Sequence, residues 1–226
     1  MLLKYYQKID DAISYLFSSV CDEKKLLKKL FGKKKIFYVD IGTNEGNFLD
    51  YLKKNFIFKK IVCFEPIKEL SDKLKEKYKD IEVIDIALSN RKSVRKFYEY
   101  KISSQSSLYR QNNTFKSLKN LKKVSEIKTI SFDQKLNTRT KIDLCKIDVQ
   151  GEEINVLKGM TSNLKKKNIK LLKIEISFLE RYIGVKSNFF DIISFLIKFN
   201  YHLYSISKIK FKNEKILLMD AYFISK

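Results

Sequence analysis

From Lys35 onward, short runs of β-branched and aromatic residues alternate with Lys- and Glu-rich stretches of helical period, and the alternation ends in two strands with no helix between them. The pattern predicts strands at 36–41, 60–65, 81–87, 142–148, 170–177, 202–207 and 216–224, helices near 46–55, 67–79, 152–165 and 188–199, and an extra ribbon at 93–100. The segment KIKFKNEK between the last two strands carries an Asn-Glu turn, so they form an antiparallel hairpin at the sheet edge. The expected fold is α/β, a Rossmann-like and mostly parallel sheet closed by an antiparallel C-terminal hairpin. Dinucleotide dehydrogenases would instead continue with further βα units.

Leu2, Tyr6, Ile9, Ile13, Leu16 and Val20 recur at helical spacing and predict an amphipathic N-terminal helical extension. We divide the chain into a helical cap, 1–34, and a Rossmann-like domain, 35–226. The helix packs on the core in the simplest reading; docking to a membrane surface or a homodimer contact are its alternatives. Acidic residues interrupt its apolar run and no small-residue cleavage site follows, so it does not read as a signal peptide. No apolar stretch approaches the roughly 18 residues of a spanning helix. Cys21, Cys63 and Cys145 are widely separated, without a C-x-x-C pair, which points away from a disulfide framework or a zinc cage and towards the cytoplasm.

The formal charge is +21, nearly all of it from Lys scattered along the chain. Such a field attracts any polyanion, but a dedicated nucleic-acid face clusters Arg and aromatic residues, so a solvated Lys-rich surface is expected and no specific nucleic-acid partner.

The chemistry begins in FYVDIGTNEGNFLDYL, where a buried strand runs out into Asp40, Gly42, Thr43, Asn44 and Gly46 before a helix. Gly42 permits a tight turn and Gly46 is expected to let the helix start approach a ligand, with backbone N–H groups facing an anionic or zwitterionic group. The G-x-x-x-G spacing differs from the dinucleotide G-x-G-x-x-G, and Asp40 would repel a pyrophosphate while suiting an ammonium. About twenty residues on, IVCFEP ends the second strand at Glu65 and Pro66, the usual place for a carboxylate that grips ribose hydroxyls. The third strand runs out as VIDIALSN, making Asp85, Ile86 and Ala87 candidates to line an adenine.

VDIGTNEG, FEP, IALSN, SSL and above all LCKIDVQGEEINVLKGM resemble the FkbM methyltransferase family over roughly residues 36 to 177. The resemblance implies a class I methyltransferase fold, S-adenosylmethionine as donor with S-adenosylhomocysteine as product, and O-methylation of sugars or secondary metabolites such as those of glycan or capsule biosynthesis. It adds Ser107 of SSL to the cofactor side. The family usually reads DVEG where this chain has Asp148-Val149-Gln150-Gly151, so Gln150 replaces an acid.

Asp148, at the tip of the fourth strand, is the candidate base for the acceptor proton, with Glu175 at the tip of the fifth as partner or rival. The two could instead share a divalent cation, a reading we do not favour because no further ligand is evident. Glu152 and Glu153 suit the helix dipole that follows them, and His202 is expected to be structural. For the acceptor, Tyr109 and Arg110 in SSLYR, and Arg181, Tyr182 and Lys186 in LERYIGVK, are candidates; Arg suits the phosphate of a sugar nucleotide. The rival readings are a nucleic-acid methyltransferase, for which the chain lacks an N/D-P-P-Y/F tetrad, and a non-catalytic protein that keeps the cofactor fold.

Overall fold

The central strand β1 (Lys35–Ile41) is buried from its second residue onward, as a parallel strand covered on both faces must be. In the computed structural model, which describes residues 22–112, 120–136, 140–185 and 189–225, it is the third strand from one edge of a seven-stranded sheet. Its neighbours are β2 (Ile57–Phe64) and β7 (Ile142–Ile147); β3 (Glu82–Ile84) flanks β2 and β8 (Ile169–Ser177) flanks β7. These five are parallel. The antiparallel hairpin of β9 (Tyr201–Lys212) and β10 (Lys215–Ser225) completes the order β3-β2-β1-β7-β8-β10-β9, with β10 inserted against β8. The expected sheet and hairpin are therefore present.

Two apolar layers cover the sheet. On one face α1 (Glu23–Phe31), α2 (Asn47–Lys53) and α3 (Lys68–Lys77) pack Leu27, Phe31, Leu49, Leu52 and Leu74 against Tyr38, Leu144, Leu171 and Tyr222. Asp22 caps α1 by accepting from the Lys24 and Lys25 amides. On the other face α5 (Glu153–Gly159), α6 (Thr161–Lys165) and α7 (Phe189–Ile197) pack Val156, Leu157, Leu164, Ile192 and Leu196 against Val39, Ile41, Ile147 and Ile174. Each such fully buried Leu or Ile stabilises the fold by about 1.5–3 kcal/mol.

Several boundaries differ from expectation. The third strand stops at Ile84; after a bend, Ala87–Ser89 forms β4 of a separate sheet, ordered β4-β6-β5, with β5 (Ser93–Tyr100) and β6 (Leu121–Ser131). Only β5 of that sheet was expected, as a ribbon; β6 was not. The single helix at 152–165 is two, broken at Met160, where Asp133 beside the short α4 (Phe132–Lys135) accepts from the Ser162 and Asn163 amides and restarts the helix. The helix expected within 1–20, Cys21 and Lys186 lie outside the described residues. Among the described residues no helix is long and apolar enough to cross a membrane.

Candidate active site

At the tips of β1, β2 and β7 the chain turns sharply, and the turn is held by the sheet itself. The amides of Gly42 and Thr43 donate to the Phe64 carbonyl, and the Asp148 amide donates to the Ile41 carbonyl at 3.0 Å. Gly42 has φ +80°, and a Cβ there would lie 2.0 Å from the Asp148 carbonyl oxygen. Its glycine is thus needed for strand tips to meet. Gly46 does not face a ligand, contrary to expectation: a Cβ there would press on Leu74 and Tyr78, at 3.0 and 3.2 Å, so it serves the contact between α2 and α3.

Beside this turn lies a cleft lined by Gly42, Asn44, Glu65, Pro66, Ile67, Ile86, Ala87, Leu88, Leu108 and Asp148. Glu65 is buried at its wall and accepts from the Asn44 amide at 2.7 Å and the Ile67 amide at 2.9 Å. Burial pushes its carboxyl up to about 7, with those amides opposing. Each oxygen keeps a lone pair for a further donor. Asp85 lies outside the cleft: its exposed carboxylate faces Lys68 at 3.2 Å, because the chain turns outward after Ile84. Ser107 is also withdrawn. It is buried and donates to the Gln150 carbonyl at 2.6 Å, while its neighbour Ser106 lines the cleft.

Asp40 does not face the cleft either. Its carboxylate is 1% exposed and paired at 3.2 Å with Lys146, which rises from β7 and also donates to the Gly42 carbonyl at 3.1 Å. Lys146 reaches the Asp148 carboxylate at 3.4 Å. Burial opposes the charge on Lys146, yet Asp40 and Asp148 together hold its ammonium above the ordinary range. A lysine between Cys145 and Ile147 in a buried strand was the signal, since a buried ammonium demands a carboxylate. Lys173 on β8 repeats the device, pairing with Asp220 and, at 3.2 Å, with Glu23.

Asp148 and Glu175 do come together, across an amide. Gln150 Nε2 donates to Asp148 Oδ1 at 2.7 Å and to Glu175 Oε2 at 2.8 Å, so the space a shared cation would need is filled. Burial disfavours the charge on Asp148, but Lys146, Gln150 and Lys173 hold its carboxyl below the usual range. Glu175 behaves in the opposite way. Burial, with Asp148 adding repulsion, pushes it up to about 8, against the pull of Arg181 at 3.3 Å. At neutral pH the pair is therefore unequal, Asp148 ionised and Glu175 protonated.

The expected acceptor residues form a strap behind this pair. Tyr182 is 2% exposed, Gln111 and Tyr182 form a β-bridge, and the Ile183 amide donates to the Arg110 carbonyl. Arg95 stacks 5.1 Å over the Tyr109 ring and pairs at 2.6 Å with Glu152, whose carboxylate also takes the Ser89 hydroxyl. Glu153 accepts from the Val149 and Gly151 amides, and burial raises its carboxyl to about 7. Both glutamates thus brace the loop, and the helix-dipole reading is too narrow. The open side is the other face: a second cleft runs past Thr43, Phe48, Tyr51, Lys173, Lys208, Lys210 and Asp220 and meets the first at Gly42, Asn44, Ser104 and Asp148.

The model of the methyltransferase FkbM domain matches residues 40–203. The chain belongs to the FkbM methyltransferase family. No curated protein matches the sequence at a significant level. Among solved structures, an FkbM methyltransferase from Methylobacillus flagellatus KT aligns with TM-score 0.55 and 14% identity over 93% of this chain; the chain spans 50% of that protein's length. The N-methyltransferase NodS from Bradyrhizobium japonicum WM9 aligns with TM-score 0.53 and 10% identity, over 89% of this chain and 93% of its own. An rRNA methylase from Streptococcus thermophilus aligns with TM-score 0.50 and 11% identity over the same shares. At these identities the likeness is one of fold, and it confirms a class I methyltransferase fold.

The FkbM donor, S-adenosylmethionine, suits the first cleft. Glu65 can take ribose hydroxyls, and Ile67, Ile86 and Leu88 give an apolar seat for adenine. Since the hydroxyls donate, ionised Glu65 binds better than protonated Glu65. Cofactor affinity should therefore rise as pH climbs through about 7, and Glu65→Ala should weaken it about 10- to 100-fold and flatten that rise. A calorimetric titration at pH 6 and pH 8 measures both, and an unchanged isotherm in the variant would remove Glu65 from the site.

Proposed function

We propose that this chain transfers a methyl group from S-adenosylmethionine to a hydroxyl of a small polyhydroxylated acceptor, a sugar or sugar nucleotide. The observation that carries the reading is Asp148, ionised, at the junction of the two clefts. Bound in the first cleft, the donor supplies an electrophilic methyl carbon whose bond to sulfur breaks with the electron pair going to sulfur. Asp148 accepts the proton that the attacking hydroxyl gives up as the C–O bond forms. Gly42 and Asn44 position the donor side, and the strap of Tyr182 over Gln150 covers the carboxylate pair from behind.

Of these acceptors the second cleft suits a neutral sugar better than an anionic sugar nucleotide. Around it four lysines, 146, 173, 208 and 210, stand against five carboxylates, 23, 45, 148, 175 and 220, although the chain as a whole carries +21. Such balance offers a polyol many donors and acceptors and gives a polyanion little net attraction. The buried free thiols of Cys63 and Cys145 suit the cytoplasm. The overall charge favours a second reading, methylation of RNA.

Incubation with methyl-labelled donor and parallel panels of sugars, sugar nucleotides and structured RNA tests the choice. Label in an ether carbon of a sugar is the expected result. Label in RNA that persists at 0.5 M salt, about where nonspecific phosphate contacts fail, would replace this reading with the second.

A further inference from the structure

Gln150 is 8% exposed and every polar position of its side chain is used. One amide hydrogen goes to Asp148 and the other to Glu175, while Oε1 lies 2.8 Å from the Tyr182 hydroxyl. Its backbone sits at φ +54°, a left-handed conformation that costs a side-chain-bearing residue about 1 kcal/mol or more. Ser107 holds the Gln150 carbonyl there. A residue held in an unfavourable conformation with a fully engaged amide between two carboxylates marks a device rather than filler.

We infer that Gln150 is the positioning residue of methyl transfer, its amide fixing Asp148 and Glu175 in one mutual geometry so that Asp148 alone meets the acceptor proton. The inference rests on Asp148 as the proton acceptor. Two carboxylates on adjacent strand tips repel when both are charged, and a single amide nitrogen with its two hydrogens about 120° apart can hold both without adding charge. Asn at 150 is too short to span them. Glu would bring a third carboxyl into the cluster, which then has to take up a further proton. The charged and titratable groups around the pair are Lys146 from β7, Lys173 from β8, Asp220 from β10, Glu153 from α5, and Arg181 and Tyr182 from the strap.

The test is a pH titration of the full chain carrying ¹³C at Asp and Glu carboxyls, read by NMR for the wild type, Gln150→Leu and Gln150→Glu. In the wild type Glu175 should titrate near 8 and Asp148 stay ionised into the acid range. In Gln150→Leu the Asp148 midpoint should rise by about one pH unit, because a donor to its charged form is gone. Gln150→Glu should bind one more proton at pH 7 than the wild type, and in both variants the acid limb of methyl transfer should move with the Asp148 midpoint. Circular dichroism checks folding, and Gln150→Glu, nearly the same size, carries the test if the leucine variant does not fold. Midpoints for Asp148 and Glu175 that superimpose on the wild type in a folded variant would make Gln150 a packing residue and overturn the inference. A wild type that binds neither S-adenosylmethionine nor S-adenosylhomocysteine would instead overturn the proposed function, whatever the titration shows.

Discussion

Asp148→Asn should lower kcat for methyl transfer by about 10²–10⁴-fold, the usual contribution of a positioned base, while leaving the cofactor dissociation constant nearly unchanged. The side chain keeps its shape, and the Asn carbonyl oxygen can still accept from Gln150 Nε2, now 2.7 Å from Asp148 Oδ1. Lys146 keeps Asp40 as its partner, so the sheet core is not disturbed. What is lost is the only ionised carboxylate of the pair at neutral pH, since Glu175 is held protonated up to about 8. At saturating donor the wild-type kcat should also stay level from about pH 5 to 7, because the Asp148 carboxyl titrates below the ordinary carboxylate range. Steady-state kinetics and calorimetry on the same preparation separate the two effects. Equal loss of transfer and of cofactor affinity would move Asp148 to the cofactor side.

Lys146→Met should destabilise the fold by about 3–5 kcal/mol, the cost of stranding one member of a buried ion pair. Asp40 is 1% exposed, and among the described residues Lys146 is the ammonium within 4 Å of it. The methionine fills the volume but leaves that carboxylate without its counter-charge. Adding Asp40→Asn to Lys146→Met should recover part of the loss, giving a coupling of about 1–3 kcal/mol in a double-mutant cycle. Urea unfolding measures all three variants. Additive effects would mean that Lys146 and Asp40 act independently, and that Lys146 contributes mainly through the Gly42 carbonyl.

The sheet was legible because its period is simple: buried parallel strands read as continuous apolar runs, and the missing helix before ILLMDAYFIS announces the hairpin. The carboxylates Glu65 and Asp148 were placed by the same runs, since each stands where an apolar run ends, whereas Glu175 lies inside β8, two residues before its end. Asp40 was located equally well, but its surroundings were not. Its pairing with Lys146 joins two strands 106 residues apart, and only the oddity of a lysine inside DLCKIDV hinted at it. The small sheet was hidden because β6, LKKVSEIKTIS, is half exposed and Lys-rich, so it reads as loop. Gln150 was the largest gap. Its substitution for an acid was visible, but the left-handed turn that aims its amide at Glu175, 25 residues away, belongs to tertiary structure. Arg181 and Tyr182 lie beside the site as expected, yet they close its back wall, and the open cleft lies on the opposite face.

Binding of the donor is the claim on which the rest stands, and calorimetric titration of the purified chain with S-adenosylmethionine, S-adenosylhomocysteine and, as control, NAD tests it directly. Glu65 and the apolar seat beside it predict micromolar binding of the first two and none of NAD, whose pyrophosphate has no place beside the Asp148 and Glu65 carboxylates. A folded protein that binds none of the three, or NAD alone, would contradict the account.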